Sequence, residues 1–173
     1  MDKLFSFKFL EVDIILKRSV IWNFFYLFLF IKDVNMVTAL FLFLTFMILV
    51  HEFGHVYFVR KFNYKVLGVA VCFNGGECIH EPCRREIEEI LIAWGGVIAQ
   101  FILLIATIII QTVGNYLYPA SNTAFINQFY EYAKLYNIIG IIYNLFPRDN
   151  LDGVKAWEIL KYIKKQNGGK ENE

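Results

Sequence analysis

The sequence predicts an all-α polytopic membrane protein with about four transmembrane helices and a small β-hairpin element between the second and third. Its 173 residues are 57% hydrophobic and 18% aromatic, and only 19% are charged. A soluble domain of this length cannot bury so much apolar side chain. Four apolar segments follow one another, and the basic residues concentrate in the tails and in one link. We expect one domain over residues 1–173.

Each apolar segment predicts a helix, and their lengths differ. They cover residues 20–31, 34–59, a charge-free stretch within 90–130, and 132–147. A span needs about 20 residues, so the first segment is short for a crossing. Gly114 and Pro119 predict the start of a loop after the third helix. Residues 9–16, before the first segment, suggest an interfacial strand or a membrane-skimming piece.

Two stretches outside the apolar segments also predict structure. Residues 66–73 are apolar and β-branched, and they precede Asn74-Gly75-Gly76 and a second short strand, which indicates a hairpin within the 60–89 link. Residues 154–163 repeat an apolar side chain every three residues with lysines between, within a 154–173 tail. That pattern favours either a basic amphipathic helix on the membrane surface or a solvated helix packed on the link.

Charge asymmetry predicts the orientation. The basic residues are Lys3, Lys8, Lys17 and Arg18 in the N-terminal tail of residues 1–19, Arg60, Lys61, Lys65, Arg84 and Arg85 in the link, and Arg148, Lys155, Lys161, Lys164, Lys165 and Lys170 at the C-terminal end. The first turn has only Lys32, and residues 111–130 have no Lys or Arg. The positive-inside rule then predicts a multi-pass protein with both termini and the link toward the cytoplasm. The net charge of +1 and the absence of a basic run give no sign of nucleic-acid binding.

His51-Glu52-Phe53-Gly54-His55 lies at the end of the second apolar segment. An HExxH sequence on a helix puts two imidazoles on one face, at a spacing that suits two ligands of one Zn²⁺, with the glutamate placed as general base. Ionisable groups inside an apolar helix cost about 2.5–3.5 kcal/mol each on insertion scales unless they are partnered, which favours a functional site. The predicted orientation puts this site on the cytoplasmic side. The alternative is a chance match whose histidines are hydrogen-bonded core residues.

A catalytic zinc usually takes a third protein ligand, and Asp152 is the favoured candidate. It follows the fourth apolar segment on the same predicted side of the membrane as the histidines. Pro147 would end the preceding helix and Gly153 would permit a tight turn, so the carboxylate could reach the metal. The alternative is a loop in which Asp152 caps the next helix. Two less favoured hypotheses use other residues. In a membrane-tethered zincin, the third ligand would be Glu86, Glu88 or Glu89. A second zinc site would use His80 and the three cysteines, Cys72, Cys78 and Cys83.

These motifs resemble those of the site-2 proteases, a family of intramembrane zinc metalloproteases, in its compact form without a PDZ domain. His51-Glu52-Phe53-Gly54-His55 is similar to the family's HExGH. Asn144, Pro147, Asp152 and Gly153 match its N-x-x-P-x-x-x-x-D-G signature. Residues 93–100 resemble its glycine-containing third core helix, although Val97 follows Gly96 where the family usually has proline.

The resemblance implies a fold and a set of roles. His51, His55 and Asp152 would bind Zn²⁺, and Glu52 would be the general base. Asn144 would hydrogen-bond the substrate backbone, and the hairpin with Gly75 and Gly76 would add an unwound substrate segment as a strand. The expected substrate is a transmembrane or membrane-anchored protein, cleaved by regulated intramembrane proteolysis. The alternative is a non-proteolytic membrane scaffold that keeps the fold and the zinc site.

Overall fold

The computed structural model describes residues 3–73, 75–119, 123–148 and 151–168. Its elements, in chain order, are β1 (Lys3–Phe9), β2 (Val12–Lys17), a 3-10 turn (Arg18–Ile21), α1 (Trp22–Phe30), α2 (Val34–Lys61), β3 (Val66–Cys72), β4 (Gly75–His80), α3 (Glu86–Leu117), α4 (Ala124–Leu145), α5 (Asp152–Ala156) and α6 (Glu158–Gly168). The predicted second, third and fourth apolar segments form α2, α3 and α4. Asn74, part of the predicted hairpin turn, and residues 169–173 of the predicted tail lie outside the described residues.

Within the described residues, two helices, α2 and α3, are long and apolar enough to cross a membrane. The prediction of about four spans is therefore confirmed only in part. α1 has 9 residues, about half of what a crossing requires. α4 has 22 residues, but Glu131 and Lys134 lie within it and form an ion pair at 2.7 Å.

The predicted hairpin of β3 and β4 forms, but it is half of a larger sheet. The sheet has the strand order β1-β2-β3-β4, in which β2 and β3 are parallel and the other two pairs are antiparallel. Val12 and Ile14 of β2 are buried with Val69 and Val71 of β3 and with Val56 of α2. This apolar cluster packs the sheet beside the half of α2 that contains the HExxH residues and leaves β4 as an edge strand.

The α2 and α3 helices approach each other through two glycines. A Cβ added to Gly54 would overlap the backbone carbonyl of Gly95, and a Cβ added to Gly95 would overlap Gly54 in turn. Small residues permit close contact of helix backbones in this way, as they do at helix interfaces in membranes. The glycine of the HExGH sequence therefore brings the histidine-bearing face of α2 directly against residues 92–100 of α3.

Gly114 lies inside α3, so the prediction that a loop begins there is wrong. The backbone N–H of Tyr118 donates to the carbonyl of Gly114 at 2.9 Å, and the helix ends at Leu117, just before Pro119. A single glycine in a long helix costs only about 1 kcal/mol relative to alanine. That cost is small enough for the 32-residue α3 to continue through Gly114.

The predicted tail helix is divided in two at Trp157, which lies between α5 and α6. The Trp94 indole of α3 donates to the carbonyl of Ala156 at 3.1 Å, and the Trp157 indole donates to the carbonyl of Leu145 at 2.7 Å. The segment therefore packs on α3 and on the end of α4, and Lys155 also pairs with Glu89, the last residue of the 60–89 link. Placement of α6 on a membrane surface stays a prediction.

Candidate metal centre

His51, Glu52 and His55 are buried near the end of α2, with relative exposures of 5%, 2% and 5%. Their possible ligand atoms all lie within 4.8 Å of one another. The two imidazole rings meet edge to face, and their Nε2 atoms are 3.0 Å apart. The helical spacing of four residues therefore produces the juxtaposition that the HExxH sequence predicts.

Asp152 reaches the same place from the other end of the chain. Phe146 is extended, as expected of a residue before proline, so α4 ends at Leu145. Asp152 begins α5, and its Oδ2 lies 2.8 Å from Nε2 of His51 and 3.2 Å from Nε2 of His55. The helix cap is Leu151 rather than Asp152. The carboxylate that the capping hypothesis assigned to the helix end is turned toward the two imidazoles.

Gly153 makes this approach sterically possible. A Cβ added there would lie 2.6 Å from both the carbonyl carbon and the carbonyl oxygen of Leu145. The start of α5 therefore packs directly on the last turn of α4, at a spacing that a larger residue would not permit. The D-G pair of the predicted signature has a steric reason in this fold.

Hydrogen bonds on the far side of each ring determine which nitrogen carries the proton. Nδ1 of His51 lies 3.1 Å from Oε1 of Gln100, and Nδ1 of His55 lies 2.7 Å from the carbonyl oxygen of Ile92. Both partners are acceptors, so each Nδ1 donates and each neutral imidazole keeps its lone pair on Nε2. This is the usual arrangement of metal-ligating histidines, whose second nitrogen is bound to a carbonyl or carboxylate. Nδ2 of Asn144 also lies 3.3 Å from Nδ1 of His51, but this contact is longer than the one from Nδ1 to Gln100.

The donor set fits a divalent cation. Two Nε2 lone pairs and the Asp152 carboxylate, all acceptors, lie 2.8–3.2 Å apart. Acceptors this close repel one another unless a cation or a proton lies among them. Ligands at about 2.0–2.1 Å from a tetrahedral Zn²⁺ would be separated by roughly 3.3 Å. The chemistry and the spacing of the three atoms therefore suit zinc.

The carboxylate of Asp152 is ionised at neutral pH. Burial would raise its pKa, but the close approach of the imidazoles of His51 and His55 outweighs burial and holds the pKa well below the ordinary value. An anionic oxygen beside two imidazoles is the form that a metal ligand requires. The local electrostatics thus favour a cation at this position.

Glu52 faces the hairpin. A Cβ added to Gly76 of β4 would lie 2.6 Å from the carboxyl carbon of Glu52, so only glycine permits this contact. Its neighbour Gly75 has φ of +129°, a conformation that glycine adopts readily and other residues rarely do. The hairpin residues singled out from the sequence therefore lie directly against the candidate general base.

A cavity of about 620 Å³ joins these groups. Its lining includes the metal-centre residues, the hairpin with Gly75 and Gly76, Gln100 of α3, Asn144 of α4, and other side chains of α1 and α4. The metal-centre residues in the lining are His51, Glu52, His55 and Asp152. Cys78 also lines it, and burial together with the charges of Glu52 and Asp152 raises the pKa of its thiol to about 12. The protonated thiol is a poor ligand and a poor nucleophile at neutral pH.

The other candidate ligands have different partners. Glu88 accepts from Tyr64 at 2.6 Å and from Arg85, and Glu89 pairs with Lys155 at 3.4 Å. Nδ1 of His80 donates to the carbonyl of Glu81. The three cysteines are free, and the structure gathers none of them with His51, Glu52 and His55.

Gln100 was not among the site residues predicted from the sequence. It is 1% exposed, and its Oε1 also accepts from Nδ2 of Asn144 at 3.1 Å. A signal was present, because Gln100 is the one amide side chain in the apolar residues 90–110, where polar side chains are costly without a partner. The carbonyl of Ile92, a backbone group, left no such signal.

No protein-family model matches the chain, and no curated protein matches it either. Among solved structures, the site-2 protease from Methanocaldococcus jannaschii is similar over 92% of this chain and 73% of its own, with a TM-score of 0.66 and 21% sequence identity. An identity this low establishes the fold alone. At the level of the fold, the resemblance drawn from the two motifs is confirmed. The chain has the fold of a site-2 protease.

Proposed function

We propose that this protein is an intramembrane zinc metalloprotease that hydrolyses peptide bonds of membrane-embedded or membrane-anchored proteins. The observation that carries the proposal is the convergence of His51, His55 and Asp152 beside Glu52, at the end of an apolar helix long enough to span a membrane. The fold shared with a site-2 protease supports it. Because the site would lie at the end of a membrane-spanning helix, the proposed substrates are membrane-embedded or membrane-anchored proteins.

In this proposal, His51, His55 and Asp152 hold Zn²⁺, which when bound polarises the scissile carbonyl and lowers the pKa of a water toward about 7. Glu52 accepts the proton of the attacking water and then donates it to the leaving amine. Its 2% exposure keeps bulk water from competing for that proton. Gln100 and Ile92 hold the two rings through their Nδ1 atoms during both steps.

The substrate would bind along the free edge of β4. This strand pairs with β3 on one side, and it passes the general base at Gly76. An extended substrate segment on the other side would satisfy main-chain groups that lipid cannot satisfy. Asn144 lines the same cavity, and in this proposal it hydrogen-bonds the substrate backbone. Substrates with helix-breaking residues near the cleaved bond are expected to be preferred, because a helical peptide hides its carbonyls.

The proposed orientation places both termini and the active site toward the cytoplasm. It rests on the distribution of lysine and arginine, which favours the cytoplasmic side for the link and for both tails. The partners in this proposal are the lipid bilayer and a transmembrane or membrane-anchored protein substrate.

The test is a cleavage assay in detergent or in liposomes. The purified full chain is incubated with a transmembrane reporter peptide that carries a glycine or asparagine in its helix, with and without a zinc chelator. We expect cleavage that the chelator abolishes and added Zn²⁺ restores. Binding of the reporter without cleavage under all zinc conditions would instead support the scaffold alternative.

Gly96 provides a test of the metal centre that leaves its ligands unchanged. A Cβ added to Gly96 would lie 2.5 Å from Nε2 of His51 and 2.5 Å from Nε2 of His55, so it would intrude between the ligand atoms. We expect Gly96→Ala to lose most of its bound zinc and its proteolysis. Metal content per purified protein is the measurement.

The matched control is Gly114→Ala in the same helix, where an added Cβ meets nothing within 4 Å. Alanine there is expected to leave zinc content unchanged and to stabilise the helix by up to about 1 kcal/mol. Equal zinc content in both variants would contradict the assigned position of the metal.

A further inference from the structure

Gln100 is an unusual residue for its position. It lies in the apolar part of α3 and is 1% exposed. A buried amide without hydrogen bonds costs about 1–3 kcal/mol by protein mutational data, so its bonds need to be accounted for. The side-chain oxygen of Gln100 takes part in two hydrogen bonds, and both involve residues of the proposed site.

The side-chain oxygen of Gln100 accepts twice. Nδ1 of His51 donates to Oε1 at 3.1 Å, and Nδ2 of Asn144 donates to the same atom at 3.1 Å. The same Nδ2 lies 3.3 Å from Nδ1 of His51, so its shorter contact is the one to the oxygen of Gln100. An oxygen facing Nδ1 fixes the proton there and leaves the lone pair of His51 on Nε2, toward Asp152.

The surroundings hold Gln100 in this orientation. Nδ2 of Asn137 donates to its backbone carbonyl at 3.3 Å. A Cβ on Gly140 of α4 would lie 3.0 Å from its Nε2 and 3.2 Å from Cε of Met47, so the amide fits a slot that a glycine leaves open. The side chain is therefore held between α2, α3 and α4 before any metal or substrate binds.

We propose that Gln100 is a positioning residue of the metal centre: it selects the tautomer and the ring orientation in which His51 binds zinc. The inference rests on the proposed function, since it needs His51 to be a ligand. It goes beyond that function by assigning part of the zinc affinity to a residue that does not itself bind the metal. Outer-shell partners of this kind typically change metal affinity by about 10–100-fold.

A purely structural role makes the opposite prediction for two substitutions. Gln100→Met nearly preserves shape and helix propensity but removes a strong acceptor, so a packing role predicts little effect. Gln100→Glu keeps an acceptor oxygen toward Nδ1 but buries a charge, so a packing role predicts damage. If Gln100 positions His51, we expect roughly 10–100-fold weaker zinc binding for Gln100→Met and affinity close to that of the wild type for Gln100→Glu.

The experiment measures the zinc dissociation constant of the full chain by competition with a chromogenic chelator, and the visible spectrum of the protein loaded with Co²⁺. The Co²⁺ bands report ligand geometry without any cleavage assay. Gln100→Asn, which withdraws the amide by one methylene, replaces Gln100→Met if that variant does not fold, with the same expected loss. Thr107→Val is the matched control, since Thr107 is a buried polar residue of α3 that bonds only within its own helix, to the carbonyl of Leu103.

Each outcome supports or overturns the inference. Weaker zinc binding and altered Co²⁺ bands in Gln100→Met, with both retained in Gln100→Glu and Thr107→Val, support it. Wild-type affinity in Gln100→Met, or a loss in Gln100→Glu as large as in Gln100→Met, overturns it and leaves the proposed protease intact. A wild-type chain that binds no zinc overturns both proposals together.

Discussion

Replacing Glu52 by glutamine is expected to slow cleavage of a transmembrane reporter by at least about 100-fold while zinc content stays unchanged. A positioned general base typically contributes about 10²–10⁴-fold, and a neutral amide cannot accept the proton of the attacking water. Glutamine has nearly the same shape as glutamate, so the contact with Gly76 of the hairpin is retained. The loss should therefore appear in kcat and not in folding or in metal binding.

The measurement is initial cleavage rate per zinc-loaded protein, with metal content determined on the same sample. Glu86→Gln is a suitable control, because Glu86 is an exposed residue in the first turn of α3 and its substitution removes the same charge. A Glu52→Gln protein that cleaves at the wild-type rate would show that another group takes the proton.

The parts of the fold that could be predicted from the sequence are those with local causes. The charge-free run before His51 predicted α2, whose helix then fixed the spacing of the two imidazoles. Pro147 predicted the end of α4, because the residue before a proline avoids the helical conformation. Gly153, a few residues after Pro147, predicted the tight turn that brings the Asp152 carboxylate toward the imidazoles.

The parts that could not be predicted depend on contacts between distant residues. The parallel pairing of β2 with β3 joins Ile14 to Val69, and alternation within a strand does not reveal its partner. The carbonyl of Ile92, which orients His55, is a backbone group that every residue type supplies. Of the predicted spans, two are confirmed among the described helices, because apolar composition alone does not distinguish a membrane-crossing helix from one that, like α1, is too short to cross.

The position of Asp152 depends both on the local turn at Gly153 and on contacts with His51 and His55, which are distant in sequence. Its removal is expected to have the largest effect on metal binding. Asp152→Ala leaves the imidazoles of His51 and His55 as the remaining neutral ligands and takes away the one anionic oxygen, which lies 2.8 Å and 3.2 Å from their Nε2 atoms. We expect zinc affinity to fall by more than the roughly 10–100-fold typical of outer-shell residues. Chelator competition on the purified chain measures this directly.

The comparison that decides the assignment is with Glu88→Ala. Glu88 is as deeply buried as the histidines, at 5% exposure, but its carboxylate bonds Tyr64 and Arg85, so its loss should reduce stability and leave zinc affinity unchanged. If Glu88→Ala releases zinc and Asp152→Ala retains it, the third ligand is on α3 and the site is that of a tethered zincin. We expect the reverse, because the carboxylate of Asp152 lies 2.8 Å and 3.2 Å from the Nε2 atoms of the two imidazoles.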